Sequence, residues 1–99
     1  MTLVRSNQFP VKHPGLIFNE RVLQQHNITQ TEAALRLHMS RKQVSLFVNA
    51  KSDVSVSLAK KLEISTGISA GFWLNLQKAY DLYKARDQKV EAEPLYAFG

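Results

Sequence analysis

The stretch SRKQVSLFVNAKS, residues 40–52, gathers side chains able to read a duplex. Arg41 can pair bidentately with guanine, Gln43 or Asn49 with adenine, and Leu46 can meet a thymine methyl, with Lys42 and Ser45 on the same face. Lys51, in the loop that follows, and Gln30, ahead of the stretch, suit phosphates. The two adjacent cations need this explanation. They open a helical pattern, where the helix N-terminus is already partly positive and each cation costs on the order of 0.3–1 kcal/mol. A base or phosphate contact outweighs that cost, so Arg41 and Lys42 are expected to face DNA.

Five helices are predicted to position these groups, with no period-2 strand alternation anywhere. The first starts at HPG, where Pro14 suits the opening turn. It turns Phe18 and Val22 inward and closes at Asn27 in the left-handed conformation. Thr29, with Glu32 three residues on, has capping-box spacing for the second helix, which runs through Ala33, Ala34 and Leu37. Ser40 caps the third, with Val44, Phe47 and Val48 inward. Small Ala34 allows close approach of the second and third helices, and His38 takes the tight turn between them. That is the helix-turn-helix arrangement, in which the second helix of the pair enters the major groove. Ser55 caps a fourth helix carrying Leu58, Ala59 and Leu62, ended by Gly67. Ser69 caps the last and longest helix.

Charge distribution agrees with a polyanion partner. The 99 residues carry 13 Lys+Arg against 8 Asp+Glu, a net charge of +5. Between residues 36 and 61 stand six cations (Arg36, Arg41, Lys42, Lys51, Lys60 and Lys61) and one acid, Asp53, so this quarter of the chain holds the whole excess. A hydrophobic content of 44% fits one modest core. Without cysteine, thiolate metal sites and disulfides are excluded. His13, His26 and His38 lack metal-ligand spacing, and no GxSxG, P-loop or Gly-rich phosphate fingerprint is present. No enzyme activity, metal, cofactor or small-molecule substrate is expected. No signal-like or membrane-spanning run is visible, so a soluble cytoplasmic protein without a membrane partner is expected.

HPG before the first helix, SRKQVS opening the third, NAK closing it and FWLNLQKAYDLYKAR closing the domain together resemble the HigA/VapI-type antitoxins of bacteria. Those belong to the Xre/Cro-like helix-turn-helix class. The similarity runs without gaps from His13 to Arg86. This sequence departs from the family pattern at Leu16 and Gly71 (commonly acids), Ala70 (commonly Pro), His38 (commonly Gly) and Ala50 (Gly in the usual NGK). The resemblance implies an all-α, five-helix Xre/Cro-like helix-turn-helix domain over residues 13–86. Read from the residues themselves, an N-terminal arm, residues 1–12, precedes it, and charge, Pro94 and a lack of periodicity beyond Asp87 make residues 87–99 a short flexible tail. The resemblance also implies a homodimer that binds palindromic double-stranded operator DNA and represses its own operon. A HigB-like toxin, a small RelE-type mRNA endonuclease, is the second implied partner. The competing reading is a free-standing Cro/Xre-like repressor without a toxin.

On the last helix Phe72, Leu76, Ala79 and Tyr83 make one stripe, while Trp73, Leu74, Tyr80 and Leu82 spread apolar surface well beyond it. One domain face rarely uses so wide a band, so a second burial surface is expected. A dimer contact through Trp73, Leu74, Gln77 and Tyr80 would supply it, together with the two-fold symmetry that paired half-sites demand. An RNA-cleaving toxin should be basic and avoid the basic DNA face. The expected toxin contacts are therefore Phe9, Val11 and Leu16, around the start of the first helix.

Overall fold

The computed structural model describes residues 11–97. Among them the structure is all-helical: α1 (Pro14–Phe18) runs straight into a π-helical segment (Asn19–Gln24), followed by α2 (Gln30–Leu37), α3 (Arg41–Val48), α4 (Val56–Thr66) and α5 (Ala70–Lys84). Each helix begins on a side chain that satisfies an otherwise orphaned N–H. His13 Nδ1 accepts from Gly15 N–H, and the hydroxyls of Thr29, Ser40, Ser55 and Ser69 accept from the N–H three residues on. Each such cap contributes roughly 1 kcal/mol. The stops are equally local. Asn27 and His38 take φ of 55° and 56°, and Gly67 takes 78°, the left-handed positions expected of them.

Two local expectations change. The inward pair on the first helix is Phe18 and Leu23, with Val22 only half-buried. In the wider π-helical turn the residue beneath Phe18 lies five positions on, not four. The Ile28 N–H closes the segment by donating to the Leu23 carbonyl at 2.8 Å. The box expected at Thr29 is half made: Thr29 Oγ1 caps Glu32 N–H, but the Glu32 carboxylate pairs with Arg36 one turn on. The complete box belongs to α3, where Ser40 Oγ accepts from Gln43 N–H and Gln43 Oε1 accepts from Ser40 N–H.

The core joins Phe18, Leu23, Ala33, Ala34, Leu37, Val44, Phe47, Val48, Leu58, Ala59, Leu62 and Trp73. α2 packs on α3, α4 on α5, and α1 on both α3 and α5. HPG is the joint of this assembly. His13 is buried, edge-on to both Phe47 and Tyr80. Gly15 lies so close to α3 that a Cβ built on it would sit 1.7 Å from the Phe47 carbonyl oxygen.

α5 turns into the core the very face expected at its dimer contact. Trp73, 1% exposed, and Gln77, 6% exposed, point into this chain's own core, so neither has surface left to give a partner. Leu74 and Tyr80 are half-buried beside them. Phe72, Ala79 and Leu82 are the exposed apolar residues of this helix. Helical periodicity sets the angle between residues, but with apolar side chains nearly all round it cannot say which side meets the core. After α5, residues 87–97 are exposed and form no helix or strand.

Candidate nucleic-acid interface

The α2–α3 pair is locked at its turn. Met39 N–H donates to the Ala34 carbonyl at 2.9 Å, the return bond of a Schellman-type stop. Lys61, reaching across from α4, donates through Nζ to the His38 carbonyl at 3.0 Å. Val44, Phe47 and Val48 anchor the inner side of α3. Its outer side then has to carry Arg41, Lys42, Gln43, Leu46 and Asn49, all exposed, with Ser45 half-buried at the edge. No acid stands in the first turn of α3. Arg41 Nη1 donates to Thr31 Oγ1 on α2 at 3.3 Å, which holds the guanidinium over the start of both helices. Half-buried Gln30 begins α2, and exposed Lys51 lies just past the end of α3.

Several polar groups already have work within the chain. Gln43 Oε1 is engaged in the capping box, so its Nε2 is the end left to donate outward. Asn49 Nδ2 donates to the Ser45 carbonyl at 2.8 Å. A bidentate adenine contact would use Oδ1 and the second Nδ2 hydrogen, so the bond to Ser45 restricts the angle from which the amide can approach a base. Three of the six cations in the basic quarter also make contacts within the chain: Arg36 with Glu32, Lys61 with the His38 carbonyl and Arg41, through one guanidinium nitrogen, with Thr31. Arg41, Lys42 and Lys51 are exposed on and beside α3.

The loop after α3 departs from ordinary backbone. Ala50 takes φ 61°, the left-handed region that disfavours a Cβ by about 1–2 kcal/mol. Glycine would remove that strain but lose about 0.5–1 kcal/mol in unfolded-state entropy. Ala50→Gly should therefore raise stability by about 0.5–1 kcal/mol, read as a higher denaturation midpoint at unchanged m-value. A lower midpoint would mean that the methyl makes contacts worth more than the strain.

Sequence reasoning did not single out Gln77 as a core residue. Its Oε1 accepts from Val54 N–H at 2.8 Å and its Nε2 donates to Asp81 Oδ1 at 2.9 Å, tying the α3–α4 link to α5. The one signal was a polar residue four positions after Trp73, on the same helical face. Asp53, next to Val54, lies 3.6 Å from His13 Nε2. Of the expected toxin contacts, Val11 and Leu16 are half-buried near the start of α1, and Phe9 lies outside the described residues. Lys12 ties this approach to α1 by a 2.9 Å ion pair with Glu20. Among the described residues no group of three or more His, Cys, Asp or Glu could hold a metal, and no helix is long and apolar enough to cross a membrane.

Known proteins share both the sequence pattern and the shape. The helix-turn-helix family model matches residues 20–73. Virulence-associated protein I of Dichelobacter nodosus is 32% identical over 83 residues, covering 84% of this chain and 77% of its own length. Pseudomonas aeruginosa antitoxin HigA, solved with the higBA promoter, superposes with a TM-score of 0.78 at 30% identity, covering 88% of this chain and all of that one. An addiction module antidote protein of the HigA family from Coxiella burnetii gives 0.76 at 28% identity over 81% of this chain and 87% of that one. With the helix-turn-helix geometry in place and these similarities spanning most of its length, the chain belongs to the Xre/Cro-like helix-turn-helix family, in its HigA/VapI-type antitoxin group.

Proposed function

We propose that this protein is a dimeric operator-binding autorepressor that also captures and silences a RelE-like mRNA endonuclease. The observation that carries the DNA half is the outer side of α3. It presents Arg41, Lys42, Gln43 and Leu46 to solvent, without an acid, on a helix whose other side is firmly seated in the core. In this reading Arg41 and Leu46 meet base edges, Lys42, Gln43 and Ser45 flank them, and Asn49 contributes its carbonyl end. Gln30 and Lys51 bracket the helix on phosphates. The antitoxin HigA solved with its promoter supports the same use of the fold.

The dimer contact is assigned to the side of α5 turned away from Trp73, where Phe72, Ala79 and Leu82 are exposed, with half-buried Leu74 at its margin. The toxin is assigned to the region around Val11, Leu16 and the preceding Phe9. Outside residues 36–61 the chain holds seven cations and seven acids. A basic nuclease meets less repulsion there than on the DNA face.

Arg41→Ala should weaken operator binding by ~1–3 kcal/mol and relax preference at one base pair. Lys51→Ala should weaken all sequences alike and flatten the salt dependence by about one unit. Co-expression with the product of the neighbouring gene, expected to be such an endonuclease, should show growth rescued equally by wild type and Arg41→Ala. If both variants bind the operator as wild type does at matched salt, the DNA assignment is wrong. Rescue lost in folded, abundant Arg41→Ala would put the toxin on the DNA face. Absence of any toxin complex would leave a free-standing repressor.

A further inference from the structure

We propose that Gln77 is a positioning residue for the DNA-contacting loop, setting the reach of Lys51 from the helix assigned to the dimer contact. This rests on the operator-binding reading above and adds a mechanical link between its two surfaces. The loop has two anchor points. On its near side Ala50 N–H donates to the Phe47 carbonyl at 3.0 Å and Lys51 N–H to the Leu46 carbonyl at 2.8 Å, so this side moves with α3. On its far side buried Val54 donates its N–H to Gln77 Oε1 at 2.8 Å, so that side moves with α5. Only Ser52 and Asp53 lie between the two anchors, too short a span to absorb independent motion of the helices.

Gln77 cannot easily be replaced in this task. Its amide presents an acceptor to Val54 and a donor to Asp81 at once, and the Asp81 bond fixes which way round the amide sits. Burial makes the arrangement demanding, because Val54 N–H has no water to turn to if the acceptor leaves. The side chain therefore holds the loop at a set height above the recognition helix. A shift of α5 at the dimer contact is passed to the phosphate contact through one hydrogen bond.

The test uses the full chain and duplex DNA spanning the promoter of its own gene. Q77M keeps the volume and removes both hydrogen bonds. It should stay helical, bind the promoter about tenfold more weakly, and lose about one unit of salt dependence. On a Lys51→Ala background the same substitution should cost almost nothing further, since both changes remove one contact. Q77E/D81N reverses the second bond while keeping the acceptor for Val54, and should bind within about twofold of wild type, against clear weakening in Q77E alone, where two carboxylates face each other one helical turn apart.

A folded Q77M with wild-type affinity and salt slope would overturn the proposal. So would a Q77M effect equally large in the Lys51→Ala background. Should Q77M fail to fold, equal promoter binding by Q77E and Q77E/D81N would overturn it. A wild-type protein with no preference for the promoter duplex would instead remove the operator reading itself. Slow amide exchange at Val54, accelerated in Q77E and restored in Q77E/D81N, would still report the clamp.

Discussion

Gly15→Ala should lower stability by roughly 3 kcal/mol or more, a large part of the 5–15 kcal/mol total of a small domain. The added Cβ would fall 1.7 Å from the Phe47 carbonyl oxygen, and the obstacle is backbone, with no rotamer to turn aside. α1 must then lift from α3, which also disturbs buried His13 and its packing on Phe47 and Tyr80. Gly71→Ala is the matched control. A Cβ at this site on α5 would have nothing within 4 Å, so a methyl there should be neutral or stabilise the helix by up to about 1 kcal/mol. Denaturant titration of the two variants decides the matter. A Gly15→Ala midpoint close to wild type would mean that α1 and α3 are not locked at this point.

The double substitution Phe72→Glu/Leu82→Glu should abolish the dimer while leaving the monomer folded. Phe72 is 46% and Leu82 67% exposed in the single chain, so carboxylates at these sites reach water without entering the core. At a partner contact the same charges would be desolvated and would face their own copies across the two-fold axis. A dimer holds two recognition helices roughly 34 Å apart, one turn of DNA. Losing that linkage should reduce affinity for a palindromic operator by about 100-fold or more, because the second half-site is no longer bound intramolecularly. Trp73→Glu should instead unfold the chain, since it buries a charge at a site with 1% exposure. Sedimentation and operator titration together read the outcome. A double variant that still sediments as a dimer would move the contact to another surface, and a monomeric wild type at tens of micromolar would remove it.

These two expectations differ in how much of each was legible beforehand. The glycine of HPG stood out as a motif, but only the approach of the Phe47 carbonyl explains why no side chain fits there. The apolar breadth of the last helix was equally plain, and the placement of Trp73 and Gln77 at a partner contact was not correct, because both are core residues.

What the amino-acid sequence determined by itself was local. Ser40, Ser55 and Ser69 are caps because a short hydroxyl can reach an orphaned N–H within one turn. Asn27, His38 and Gly67 end their helices because few residue types tolerate positive φ. The outward face of α3 also followed, since Val44, Phe47 and Val48 occupy its apolar side and leave Arg41, Lys42 and Leu46 to water. Tertiary structure decided what depends on partners distant in the chain. Leu23 replaced Val22 in the core because the backbone widened into a π-helical turn. Gln77 became a core clamp because Val54, 23 residues earlier, needed an acceptor for its buried N–H. The phase of α5 was settled by the same packing: periodicity relates the residues of one helix to each other, and only the neighbouring helices choose which of its sides is excluded from water.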